Sequence, residues 1–394
     1  MPKNRTLFLA DYCLTPFERI PSGGILCERD KILAIGGASA FSRYEDGLEI
    51  IDMKGCYAMP GFIDSHIHGT GPLDTANAGT DAFRLSEMSR RLAEHGVTTF
   101  LPTLISLPGE RLLRAVDAIV SQIEEGCTDA DVPGIHIEGP FLNPEKRGSQ
   151  KAGDLMNIDL GFARELIDAG RNRVKIMTFA PELEHSVELI ELLLQNGVIP
   201  SMGHSMAGET DTLRCIEAGA TRCTYVFNGM PSLSHKKSSL TDVALTDDRV
   251  SVEMIVDGLH VHPRMIDLAA RCKPKDKLIG ISNSVSPVGS AEIEGFRQDD
   301  GRMIEIVRNR EGVVTGSTLT LEHSWLQLMN YAKLEQSLAA ACFTSNPAAD
   351  LGLITRGEIK PGKRADIAFF DAGTNQVRMT VSRGRIIYRK DETE

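Results

Sequence analysis

"PGFIDSHIHG", residues 60–69, begins with the short apolar run Gly61-Phe62-Ile63-Asp64 and ends on two histidines two residues apart. A run this short reads as a buried β-strand. Side chains on a strand repeat every two residues, so His66 and His68 share one face. Seven comparable runs follow, at 98–101, 133–137, 174–177, 197–203, 220–227, 250–256 and 277–282. Between most of them lie helical patterns, at 83–95, 111–125, 160–169, 184–195 and 209–218. Strand then helix, repeated eight times, predicts parallel β-structure with right-handed crossovers. At this length a (β/α)₈ barrel is the expected fold, with a doubly wound open sheet as the alternative.

The two ends of the chain read differently. Residues 1–57 carry short strand-like segments with Gly turns ("IPSGGILCERDKILAIGG"), and 356–391 resume that style with three or four short alternating strands. The expectation is a small β-sandwich domain built from 1–57 and 352–394, bracketing a barrel at 58–351.

Composition narrows the function. The 394 residues can bury a large core, and the net charge of −11 argues against a nucleic-acid binder or docking on anionic membranes. A local cluster of cations can still receive an anionic small molecule. The eight cysteines are scattered, with no C-x-x-C pair, as expected of reduced thiols in a cytoplasmic protein. The N-terminal residues lack the pattern of a signal peptide, and no apolar run approaches the roughly 20 residues of a membrane span.

In a (β/α)₈ barrel the chemistry sits where strands end, because the βα loops ring the open mouth there. The first strand runs into His66 and His68, the third into His136 and Glu138, the fifth into His204. The sixth leads to Tyr225, Asn228 and Gly229, the seventh to Asp257 and His260, the eighth to Asn283. An isolated H-x-H pair is usually just two polar residues, and a lone His204 a hydrogen-bonded core histidine. Glu138 is harder to dismiss, since a buried carboxylate is costly without a cation or donors. Together, on converging strand ends, these residues point to a divalent-metal site. Imidazole and carboxylate donors suit zinc or a similar first-row ion.

The blocks "PGFIDSHIHG", "HIEGPFLNPEKRG", "TFAPE", "GHS", "FNGMPSLSH", "DGLHV", "GSTLTL", "TSNPAADLGL" and "KPGKRADIAFFD" stand in the order found in N-acetylglucosamine-6-phosphate deacetylases of the amidohydrolase superfamily. The chain resembles that family along nearly its whole length. The resemblance implies a metal-dependent barrel with a small β-domain, acting on a phosphorylated amino sugar as a homodimer. It implies metal ligands at Glu138 and His204, a second metal position at His66 and His68, and substrate contacts from Asn228, Gly229 and His260. Four positions depart from the family pattern. Tyr225 stands at a metal histidine, Gln150 at a substrate histidine and Lys236 at the arginine that grips the phosphate. Asn283 stands at the aspartate that ends the eighth strand.

That last exchange bears on chemistry. Deacetylation needs a water stripped of a proton and an amine given one, and such assistance contributes about 10²- to 10⁴-fold. An amide cannot carry that proton. A neutral phenol is a poor metal ligand, so one ion is expected rather than two, held by the remaining donors. His136, Asp257 and His262 are candidate replacement bases. Three functions compete: a sugar-phosphate amidohydrolase, a catalytically impaired homologue that binds a sugar phosphate, and a hydrolase for another amide or ester.

Overall fold

In a computed structural model of the chain, residues 5–15, 18–44, 48–288, 290, 292–297 and 303–390 are described. All eight apolar runs are strands of one parallel sheet, paired in chain order. They are β1 (Phe62–Ile67), β2 (Val97–Ile105), β3 (Ile135–Glu138), β4 (Val174–Phe179), β5 (Ile199–Met202), β6 (Arg222–Cys223), β7 (Ser251–Ile255) and β8 (Leu278–Ile281). The first and last strands meet through Asn283 N–H to His66 O (3.0 Å) and His68 N–H to Ser284 O (2.9 Å). Asp64 Oδ1 also accepts from Ser282 N–H at 3.4 Å. These bonds leave a nearly closed barrel and rule out the open-sheet alternative.

Each strand feeds a helix: α1 (Leu85–Ala93), α2 (Gly109–Glu125), α3 (Leu160–Ala169), α4 (Ser186–Gln195), α5 (Glu209–Ala218), α6 (Leu240–Thr246), α7 (Pro263–Cys272) and α8 (Leu321–Ala332). Local chemistry sets their starts. The Asp159 carboxylate accepts from Gly161 and Phe162 N–H at the head of α3, and Ser239 with Asp242 forms a capping box on α6. Helix α2 buries Leu112, Ala115, Val116, Ile119 and Val120, one face at helical spacing against the sheet. On β8, Gly280 is required by packing, because a Cβ there would lie 2.0 Å from the Phe343 ring.

Strands from both chain ends pair in one separate eight-stranded sheet, with the segment Glu49–Pro60 bridging the N-terminal strands to Ile367–Asp371. Tyr57, Phe62, Trp325, Phe343 and Phe370 form a chain of ring contacts that binds this sheet to the barrel. All eight cysteines are free. Among the described residues, no helix is long and apolar enough to cross a membrane.

Two features differ from expectation. The run at 220–227 is a strand only at Arg222–Cys223, because Tyr225 and Phe227 take positive φ (22° and 79°) and turn the chain out of the ladder. Between β8 and α8 lies an antiparallel insertion of β9 (Glu292–Arg297), β10 (Met303–Arg308) and β11 (Val314–Ser317). Ile304 of β10 packs with Tyr225, Ile255, Ile281 and Leu319, which seats the insertion on the C-terminal end of the barrel. Val285 N–H also bonds Ser317 O at 3.1 Å.

Candidate active site

A cavity of about 350 Å³ opens at the C-terminal end of the barrel. His68, Glu138, Gln150, His204, Tyr225 and Asn283, drawn from five strand ends and one loop, all line it. His204, Tyr225 and Asn283 each sit at positive φ two residues after a strand, so the backbone turns there and aims the side chain inward.

Hydrogen bonds assign the tautomers. His66 Nδ1–H donates to Glu253 Oε2 (3.0 Å) and His68 Nδ1–H to Thr103 O (3.0 Å). The two Nε2 atoms face each other at 3.3 Å, and in neutral rings both present lone pairs to the site. Glu138 closes the triangle, with Oε1 3.6 Å from His66 Nε2 and Oε2 3.5 Å from His68 Nε2. Two nitrogen lone pairs facing each other beside a carboxylate are stable only around a shared proton or cation. Burial pushes the Glu138 carboxyl up, but His204, His66 and His68 outweigh it and hold it well below the usual carboxylate range. The donor set therefore fits a divalent metal at His66, His68 and Glu138.

Tyr225 defines the other side of the cluster. Its hydroxyl touches both Glu138 Oε1 and His204 Nε2, in the gap those two ligands would share. His204 Nδ1–H donates to Lys146 O at 2.5 Å, which turns its Nε2 to the site. Burial and the neighbouring Glu138 raise the phenol well above its ordinary pKa, which keeps it a neutral donor. The phenol thus fills the Glu138–His204 position and leaves the His66–His68–Glu138 position open. Gln150 supports the same carboxylate, donating from Nε2 to Glu138 Oε2 (3.2 Å) while Oε1 accepts from Ser106 N–H (2.9 Å). Asn283 Oδ1 is buried without a hydrogen-bond partner.

Beneath the site runs a buried ionic chain that the sequence did not disclose. Arg222 pairs with Asp350 on one side and with Glu253 Oε1 (2.5 Å) on the other, and Glu253 holds His66. Burial raises the Glu253 carboxyl, yet Arg222 and His66 bring it down to about 2. Such an outer carboxylate orients a ligating imidazole and raises its basicity. Arg222→Leu leaves Glu253 and Asp350 buried without their cation, and should cost about 3–5 kcal/mol of unfolding free energy. Guanidinium denaturation measures this, and a loss under 1 kcal/mol would refute the role given to Arg222.

Other expected site residues lie outside the main cavity. His260 borders a neighbouring cavity of about 130 Å³, its Nδ1 bonded to Asp257 Oδ2 at 2.5 Å. Gly229 packs behind His204, where a Cβ would lie 2.9 Å from its Nδ1, and the Asn228 Nδ2 is buried without a hydrogen-bond partner. Lys236 is on an exposed loop. Of the candidate replacement bases, His136 is buried against His66, which with burial holds its pKa well below normal. Asp257 is saturated by the Leu259 and His260 N–H groups and the His260 ring, and His262 caps α7. None of these three lines the cavity; among the described residues, the carboxylate that does, besides Glu138, is Asp74.

The model of the amidohydrolase family matches residues 57–387. An N-acetylglucosamine-6-phosphate deacetylase of Bacillus subtilis is 31% identical over 85% of this chain and 86% of its own. An N-acetylgalactosamine-6-phosphate deacetylase of Escherichia coli O157:H7 is 28% identical over 80% of this chain and 83% of its own. Among solved structures, an N-acetyl-D-glucosamine-6-phosphate deacetylase D267A mutant of Mycobacterium smegmatis, in complex with N-acetyl-D-glucosamine-6-phosphate, superposes with a TM-score of 0.86. It is 27% identical, over 98% of this chain and 99% of that one. Fold, motif order and these likenesses agree: the chain belongs to the amidohydrolase family and, within it, to the N-acetylglucosamine-6-phosphate deacetylases.

Proposed function

We propose that the chain hydrolyses the acetamide of an N-acetylated hexosamine 6-phosphate. The observation that carries this reading is the convergence of the His66 and His68 Nε2 atoms and the Glu138 carboxylate at the floor of an open cavity. A divalent ion held there, zinc by its donor set, would acidify a water towards a pKa of about 7 and polarise a carbonyl. Gln150 keeps the Glu138 carboxylate turned to the two histidines. Asn283 offers a free Oδ1 acceptor and an amide donor to orient the acetamide, and it moves no proton. Asp74, the other carboxylate on the cavity wall, is the group left to take the proton and return it to the departing amine. Resemblance adds a homodimer in the cytoplasm; a single-subunit mass in light scattering would remove the dimer.

Acetate release from N-acetylglucosamine 6-phosphate, with and without added zinc, tests the reading. The expected result is slow, zinc-dependent turnover that Asp74→Asn lowers by a further factor of about 10² or more. Turnover indifferent to Asp74→Asn would assign the proton to another group. A second reading has its own support. Tyr225 between Glu138 and His204, together with Asn283, suits a protein that binds the sugar phosphate without hydrolysing it. Folded, zinc-loaded protein that binds glucosamine 6-phosphate and releases no acetate would favour that second reading.

A further inference from the structure

A sugar 6-phosphate carries a charge near −2 at neutral pH, and a protein of net charge −11 must meet it with local cations. Lys236, where the family pattern has its phosphate arginine, is exposed and apart from the cavity wall. Among the described residues that line the cavity, the lysines and arginines are Arg308 and Arg310. Both come from the insertion that follows β8, one at the end of β10 and one in the turn beyond it.

We propose that Arg308 and Arg310 bind the substrate's phosphate at the rim of the cavity, with the acetamide directed to the His66–His68–Glu138 floor. This rests on the proposed function and names the residues that select its phosphorylated substrate. The Arg308 side chain is about one-third exposed and already oriented, since Nη1–H donates to Gly312 O at 3.1 Å. Glu294 stands 3.7 Å from its Nη2, too far for a hydrogen bond, so most of its five N–H donors remain for a ligand. A guanidinium presents those donors as a planar fork that matches two phosphate oxygens, which a lysine cannot reproduce. Arg310 is exposed and adds a second positive charge at the same rim.

Charge also sets direction. The described carboxylates that line the cavity lie on the barrel side, Glu138 at the end of β3 and Asp74 in the loop after β1, while the guanidiniums stand on the inserted sheet. An anion is drawn to the second location and repelled from the first. Arg308 also borders the smaller cavity lined by His260.

Calorimetric binding of glucosamine 6-phosphate, glucosamine and inorganic phosphate provides the test. The wild-type protein should prefer the phosphorylated sugar. Arg308→Gln with Arg310→Gln should weaken that sugar roughly 10- to 100-fold, while affinity for glucosamine stays the same. Arg308→Lys should fall between, and Lys236→Gln should match the wild type. Circular dichroism melts of each variant separate loss of fold from loss of binding, and the lysine variant serves if the double one unfolds. Unchanged affinity in the double variant, or the loss appearing in Lys236→Gln, overturns the assignment. If the wild type binds inorganic phosphate through these arginines but has no affinity for the sugar phosphate, the proposed function fails instead.

Discussion

Glu138→Gln should abolish divalent-metal binding. Each side of the cluster converges on this carboxylate: His66 and His68 from one side, His204 and the Tyr225 hydroxyl from the other. An amide of the same size offers one weaker oxygen and turns a donor towards nitrogen lone pairs that need a cation. Removing an outer-shell partner costs about 10- to 100-fold in metal affinity, and removing a ligand should exceed that. Competition with a chromophoric zinc chelator measures it, independently of turnover. A variant that still holds one zinc per chain within tenfold of the wild-type affinity would show that the ion sits elsewhere, with His66, His136 and Glu253 the alternative grouping.

Asn283→Asp combined with Tyr225→His should raise acetate release by about 10²- to 10⁴-fold, the span that acid–base assistance supplies. Asn283 already occupies the right place. It follows β8 by two residues at positive φ, is buried on the cavity wall, and has an oxygen with no partner. A carboxylate there could take the proton that the amide cannot. Tyr225→His removes the phenol from between Glu138 and His204 and returns a nitrogen donor to that gap. The single Asn283→Asp exchange should recover less, because the phenol would still fill the Glu138–His204 position. Zinc content measured beside the rate keeps the interpretation clean: no gain in a double variant that carries its metal would mean that the proton path never passed through residue 283.

Much of this was legible in the residues. The apolar runs and their helical intervals specify an alternating chain whose strands, buried on both faces, must pair in parallel, and all eight runs are strands. Placing polar residues at strand ends located Glu138, His204, Tyr225 and Asn283, because in a barrel that position decides which side chains reach the mouth, whereas Gln150, on a loop, came only from the family resemblance. The insertion was missed although its signal was present. "EIEGFR" and "MIEIVR" alternate on either side of an Asp-Gly pair, which is hairpin chemistry. It escaped because the strand count was already complete at eight.

The sequence by itself determined the fold, the side of the barrel that carries chemistry and the residue types gathered there, since periodicity and strand-end position are local properties of the chain. Only the tertiary structure decided how they work together. It placed the Tyr225 hydroxyl between Glu138 and His204, set Glu253 and Arg222 behind His66, and brought Arg308 and Arg310 to the cavity wall. Each is a contact between residues far apart in the chain, and such distances are set by strand register, loop path and side-chain packing rather than by spacing along the sequence.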